Sequence, residues 1–145
     1  MHLEETVRIH QPVATVFKYV TNLTHWPQYR GAIQATSLPA APLDTGITFQ
    51  TKAKFLGRSF EQTHEVTAYE PNRRFAYRST AGPFPTVYDY TLTPAGTETQ
   101  VTLRLDAEVG GFFKMAAPLV TVAARRQVQN DLATLKALLE TQDET

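Results

Sequence analysis

The sequence predicts an α+β fold: a seven-stranded, curved antiparallel sheet around one long C-terminal helix, with two short helices after the first strand. Three observations carry this expectation. Apolar and polar side chains alternate through the first ten residues, strand-like runs separated by turn residues fill the middle of the chain, and a helical apolar stripe occupies the end.

Leu3, Glu5, Val7 and Ile9 share one parity and His2, Glu4, Thr6, Arg8 and His10 the other, the alternation of a half-buried strand. Pro12 suits the first turn of a helix, and Val13, Val16, Phe17 and Val20 recur at helical spacing, so a short helix is expected to about Asn22. Thr24 is expected to cap a second helical turn through His25-Trp26-Pro27-Gln28-Tyr29, with Gly31 ending it. Strands follow near Ala32–Leu38, Ile47–Phe55, Ser59–Glu70, Arg74–Thr80, Val87–Thr93 and Gln100–Val109, joined by Gly- and Pro-containing turns. Gly110-Gly111 closes the last strand. Ala117, Thr121, Ala124, Val128, Leu132, Leu135 and Leu139 then mark a long helix, expected to be irregular at Pro118 and frayed from Gln142.

Composition bounds the chemistry. The chain has 145 residues, 42% of them hydrophobic, enough for one domain spanning 1–145 with a sizeable core. Fourteen basic residues balance fourteen acidic ones, so no global field collects nucleic acid or anionic lipid. The absence of cysteine excludes disulfides, thiolate metal sites and cysteine nucleophiles. His2, His10, His25 and His64 lack paired ligand spacing, so neither metal nor cofactor is expected. The acidic start, Glu4-Glu5, is unlike a secretory signal, and the longest apolar stretch, Met115 to Ala124, is about half the roughly 20 residues a membrane span needs. A cytoplasmic protein is the expectation.

A helix is about 10 Å wide, whereas seven strands at about 4.8 Å each span roughly 30 Å, so one helix cannot fill the concavity of such a sheet. The remaining space is expected beside the helix's first half, where Ala117, Thr121 and Ala124 are small. Strand parity turns Phe49, Thr51, Phe60, Gln62 and His64 toward that space, followed by Phe75, Tyr77, Tyr88, Tyr90 and Leu103. Glu61, Glu65 and Asp89 have the opposite parity and are expected to point outward. Lys52, Lys54, Arg58, Arg73, Arg74 and Arg78 read as a solvated face.

Ile9-His10-Gln11-Pro12-Val13-Ala14-Thr15-Val16-Phe17-Lys18-Tyr19-Val20, leading to Leu23-Thr24-His25-Trp26-Pro27, resembles the START-like helix-grip (SRPBCC) superfamily, and within it the polyketide cyclase/dehydrase and lipid-transport branch. Val66-Thr67-Ala68-Tyr69-Glu70-Pro71-Asn72-Arg73-Arg74-Phe75 and the closing run Asp131 to Glu140 are similar to recurring phrases of that family. These are scaffold motifs, which identify a container. The resemblance implies that Trp26, on the second short helix, helps close one end of a cavity; as an ordinary aromatic it would plug the edge of the core.

Three functions fit these residues. The leading one is binding of a small hydrophobic or aromatic molecule, polyketide-like, lipid-like or isoprenoid. The second is an aromatase/cyclase or dehydratase, which the resemblance allows, with His64 as general acid or base and a tyrosine, Tyr77 first and Tyr88 or Tyr90 as alternatives, polarising a carbonyl; a histidine paired to a neighbour for structural reasons is the competing account of His64. The third, a protein-interaction module, calls for an outward apolar patch that parity does not supply.

Overall fold

A computed structural model describes residues 1–109 and 111–141, so Gly110 and the polar tail from Gln142 lie outside the described residues. Strand β1 (His2–Ile9) leads into α1 (Val13–Val20), a 3-10 turn (Leu23–His25) and α2 (Trp26–Tyr29). Six strands follow, β2 (Ile33–Thr36), β3 (Thr48–Phe55), β4 (Arg58–Glu70), β5 (Arg74–Ala81), β6 (Thr86–Ala95) and β7 (Glu98–Ala107), and then α3 (Ala117–Thr141). The sheet is antiparallel throughout in the order β1-β7-β6-β5-β4-β3-β2.

The meander is stitched by short turns, which fix the register that aims each side chain. Leu56 and Gly57, both with positive φ (50° and 78°), form a two-residue hairpin turn whose twist matches the flanking strands, so Phe55 pairs with Arg58 and Phe49 with His64. Register shifts in the β4–β5 ladder, between Thr63 and His64 and between Val66 and Ala68, increase local twist and curl the sheet. Its outer face is solvated as expected, with Arg74 paired to Asp89 at 2.9 Å and Arg78 to Glu65 at 3.0 Å. Arg58 departs from that face: half-buried, it lies 4.2 Å over the Phe112 ring and donates to the Phe112 carbonyl.

The concave face and α3 share one core in which Val128, Leu132, Leu135 and Leu139 meet Leu3, Ile9, Phe17, Val20 and Trp26. No described helix is long and apolar enough to cross a membrane.

Four local expectations are corrected. Helix α1 stops at Val20, and the next turn is capped by Asn22, whose side chain accepts from the Thr24 backbone N–H at 3.1 Å; the Thr24 hydroxyl donates to the same oxygen. Arg30, in extended conformation, caps α2. Gly31 serves instead to make room for α3, since a Cβ there would lie 2.5 Å from the Gln127 amide nitrogen. Pro118 sits in the first turn of α3, where its missing N–H is no loss, and disturbs nothing.

Candidate functional site

Between the sheet and the first half of α3 lies a cavity of about 100 Å³. Its walls follow from strand parity. Thr51 comes from β3, Phe60, Gln62 and His64 from β4, Tyr77 from β5, Tyr88 and Tyr90 from β6, and Leu103 from β7. Helix α3 contributes Ala124, as expected, along with Val120, Gln127, Val128 and Asp131.

Five of the expected residues stand elsewhere. Trp26, Phe49 and Phe75 are buried behind the wall, with Trp26 edge-on to Phe49 at 5.4 Å and donating from Nε1 to the Val20 carbonyl at 2.9 Å. Trp26 thus locks α1 to α2 and reaches the cavity only through what it supports. Ala117, the first residue of α3, is exposed, and Thr121 turns its hydroxyl back to the Ala117 carbonyl at 3.0 Å. The inward stripe runs Val120, Ala124, Val128, Leu132, Leu135 and Leu139, so the residue four before Ala124 faces inward and the residue three before it does not.

The cavity has two chemically different ends. At one, Phe84, Phe113 and Val120 form an apolar cluster of their own, with Phe55, Phe60 and Val109 packed against it. Phe60 and Phe84 lie 5.2 Å apart, and Phe55 and Phe113 5.4 Å. Phe84 and Phe113 come from connecting segments, which parity does not govern. They narrow the space below the roughly 300–1,000 Å³ of typical ligand pockets.

At the other end stands Arg30, which sequence pattern did not single out. It follows α2 directly, its backbone N–H bonded to the Trp26 carbonyl at 2.8 Å, and the anchored Trp26 therefore fixes where it points. The guanidinium lies 4.4 Å over the Trp26 ring and 4.8 Å over Tyr88, and donates from Nη1 to Tyr77 Oη at 2.6 Å. Tyr77 is in turn stacked on Tyr88 at 4.9 Å and on Trp26 at 5.2 Å. Desolvating a cation costs several kcal/mol, while a desolvated cation–π contact returns about 2 kcal/mol and a charged hydrogen bond about 1.5–3. The rings and Tyr77 therefore offset much of the burial cost without neutralising the charge. Among the described residues no carboxylate lies within 4.0 Å of Arg30 in an ion pair. Asp131, whose field reaches Arg30, spends Oδ1 on the Gly31 N–H at 3.0 Å and the Gln127 amide at 2.8 Å; burial pushes its carboxyl up.

His64 stands between the two ends. Its Nε2 is 2.9 Å from the Thr51 hydroxyl, its Nδ1 is buried without a partner, and its ring meets Tyr77 edge-on at 5.1 Å. Burial first, and the Arg30 charge second, bring its pKa down to about 3, so the imidazole is neutral at neutral pH. Burial holds the Tyr77 phenol well above its ordinary range and raises Tyr90 to about 12, so both keep their protons as donors. Gln62 is committed to the Phe84 carbonyl at 2.8 Å. Among the described residues no group of three His, Asp or Glu side chains could hold a metal ion.

The family model described as polyketide cyclase / dehydrase and lipid transport matches residues 1–140. No curated protein matches the sequence. Among solved structures, a START superfamily protein from Mycobacterium smegmatis superposes with a TM-score of 0.82 at 18% identity, covering 97% of this chain and 98% of that one. A protein from Thermus thermophilus gives 0.81 at 18% identity, covering 98% and 99%. The Zhui aromatase/cyclase from a Streptomyces species gives 0.77 at 15% identity, covering 97% and 93%. At such identities the likeness establishes the fold, the START helix-grip arrangement.

Proposed function

The chain belongs to the polyketide cyclase/dehydrase and lipid-transport family of the START superfamily, and on that premise we propose that it binds a small hydrophobic or aromatic molecule in the cavity between sheet and α3. The observation that carries this reading is the cavity: an internal space of about 100 Å³ walled by phenylalanine, tyrosine, leucine and valine, with a few convergent polar groups at one end. An apolar cavity of about 150 Å³ accommodates benzene, so a space of about 100 Å³ takes a short aliphatic chain as it stands and a single ring with a modest widening. Larger polyketide-like or isoprenoid bodies would require the Phe84 and Phe113 segments to part.

The cyclase reading draws support from Tyr77, whose hydroxyl accepts from Arg30 and is thereby made a better donor to a carbonyl. His64 is a poor base for it, because a histidine with a pKa of about 3 takes a proton poorly at pH 7, which leaves that role to Asp131, a cavity-lining carboxylate that burial pushes upward. The interaction-module reading draws on the exposed Leu119 and Val122 of α3, a strip narrower than the patches that mark stable interfaces.

Native mass spectrometry of freshly purified protein, followed by titration with small aromatic compounds, tests the binding reading. A co-purifying molecule, or saturable uptake lost in a cavity-filling variant, supports it. A protein that neither carries nor takes up any apolar molecule overturns it.

A further inference from the structure

Arg30 is 5% exposed, lines the cavity, and gives one side-chain hydrogen bond among the described residues, to Tyr77. A guanidinium has five N–H donors in a planar fork and keeps its charge at any pH a protein meets. Buried charges are ordinarily paired. Here no carboxylate among the described residues makes a direct ion pair with Arg30, Asp131 acting on it only through its field, while the donors border a space made for a ligand. We propose that Arg30 anchors an anionic oxygen of the ligand, and that the ligand is a compact aromatic or short aliphatic carboxylate whose apolar body lies toward Phe60, Phe84 and Phe113. This rests on the cavity-binding reading and names its substrate class.

Three features support the assignment beyond the bare charge. First, Tyr77 accepts from Arg30, so its own proton is free to donate, and burial keeps that proton in place. Arg30 and Tyr77 together offer a carboxylate two donors from two elements, the two-point recognition that the fork geometry favours. Second, the ends of the cavity differ, with cation and phenols at one and a phenylalanine cluster at the other, so an amphipathic acid is oriented on entry. Third, Asp131 spends Oδ1 on Gly31 and Gln127 rather than on Arg30, which leaves the remaining guanidinium donors open to a ligand.

The test compares acids with their isosteric amides, benzoate with benzamide and cinnamate with cinnamamide, by isothermal titration calorimetry on the intact protein. The single tryptophan, stacked under Arg30, provides a second, fluorescence signal. The parent is expected to bind each acid at least tenfold tighter than its amide. In Arg30→Gln that preference is expected to vanish, with amide affinity kept within a few fold. Should Arg30→Gln fail to fold, the acid-to-amide ratio of the parent decides alone. Equal affinity for acid and amide in the parent would overturn the anchor and leave the binding reading standing. No binding of either, together with no uptake of any apolar compound, would overturn both.

Discussion

Replacing Ala124 by Leu probes the cavity from the helix side. Ala124 is 6% exposed and lines the space, and Leu has nearly the helix propensity of Ala, so the substitution acts almost entirely on packing. A void of about 100 Å³ costs about 2.4 kcal/mol at the roughly 24 cal/mol per Å³ found for core cavities. Three added carbon groups, at about 0.8 kcal/mol each when buried, recover a similar amount if all of them enter the space. Part of the wall is polar, which lowers the gain to about 1–2 kcal/mol. At about 2.1 cal/mol/K of unfolding entropy per residue, 1 kcal/mol moves the Tm of a chain this long by about 3 °C, giving an expected rise of about 3–6 °C. The assay is a calorimetric melt paired with cinnamate titration: Tm rises and cinnamate binding falls at least tenfold. A Tm that drops by several degrees would mean that α3 is already packed against the sheet and that the cavity does not exist as described.

The remaining expectations concern the polar end and the metal question. His64 has a folded pKa of about 3 against 6.5 unfolded, so the unfolded chain binds the extra proton between those values. Stability is therefore full above pH 6.5 and falls on acidification by about 1.4 kcal/mol per pH unit, roughly 4–5 kcal/mol by pH 3. Asp131, pushed upward, works in the opposite sense. Chemical denaturation across pH 3–8 should show this slope in the parent and a flatter one in His64→Gln; equal slopes would place His64 in solvent contact. Tyr77→Phe strips Arg30 of its side-chain acceptor and should cost about 1.5–3 kcal/mol, read as a fall in Tm of about 5–10 °C, with an unchanged Tm refuting the pairing. Dialysis against a chelator should leave both Tm and cinnamate binding unchanged, and a loss of either would reveal a metal requirement.

The sheet was legible because a half-buried antiparallel strand writes its two faces into alternate residues. Phe60, Gln62 and His64 on β4, and Tyr88 and Tyr90 on β6, could be aimed inward from parity alone, with no knowledge of register. The long helix was legible in extent but not in phase near its start. Ala117 and Thr121 satisfy a helical spacing from Ala124 as well as Val120 does, and only contact with the sheet selects between them. Phe84 and Phe113, which shape one end of the cavity, sit in connections with no period to read. Arg30 was hidden for another reason. A charged residue beside a turn is ordinarily solvated, and its burial depends on Trp26, Tyr77 and Tyr88 meeting around it from α2, β5 and β6. No local pattern encodes a meeting of three elements.

The protonation states at the polar end bear on whether this cavity holds a molecule or transforms one. Enolisation of a ketone needs a group that gains a proton and gives it up again near the working pH. Arg30 stays charged, Tyr77 stays protonated, and His64 stays neutral from about pH 3 upward. Each of the three therefore keeps one state across the neutral range. An anion seated on Arg30 would remove the Coulombic contribution to the His64 shift, yet that is the smaller of its two causes. Burial, the larger, would persist or deepen once a ligand displaced water. Arg30, Tyr77 and His64 are thus suited to recognising an oxygen, and any proton cycling beside them would fall to Asp131, the cavity-lining carboxylate that burial pushes upward.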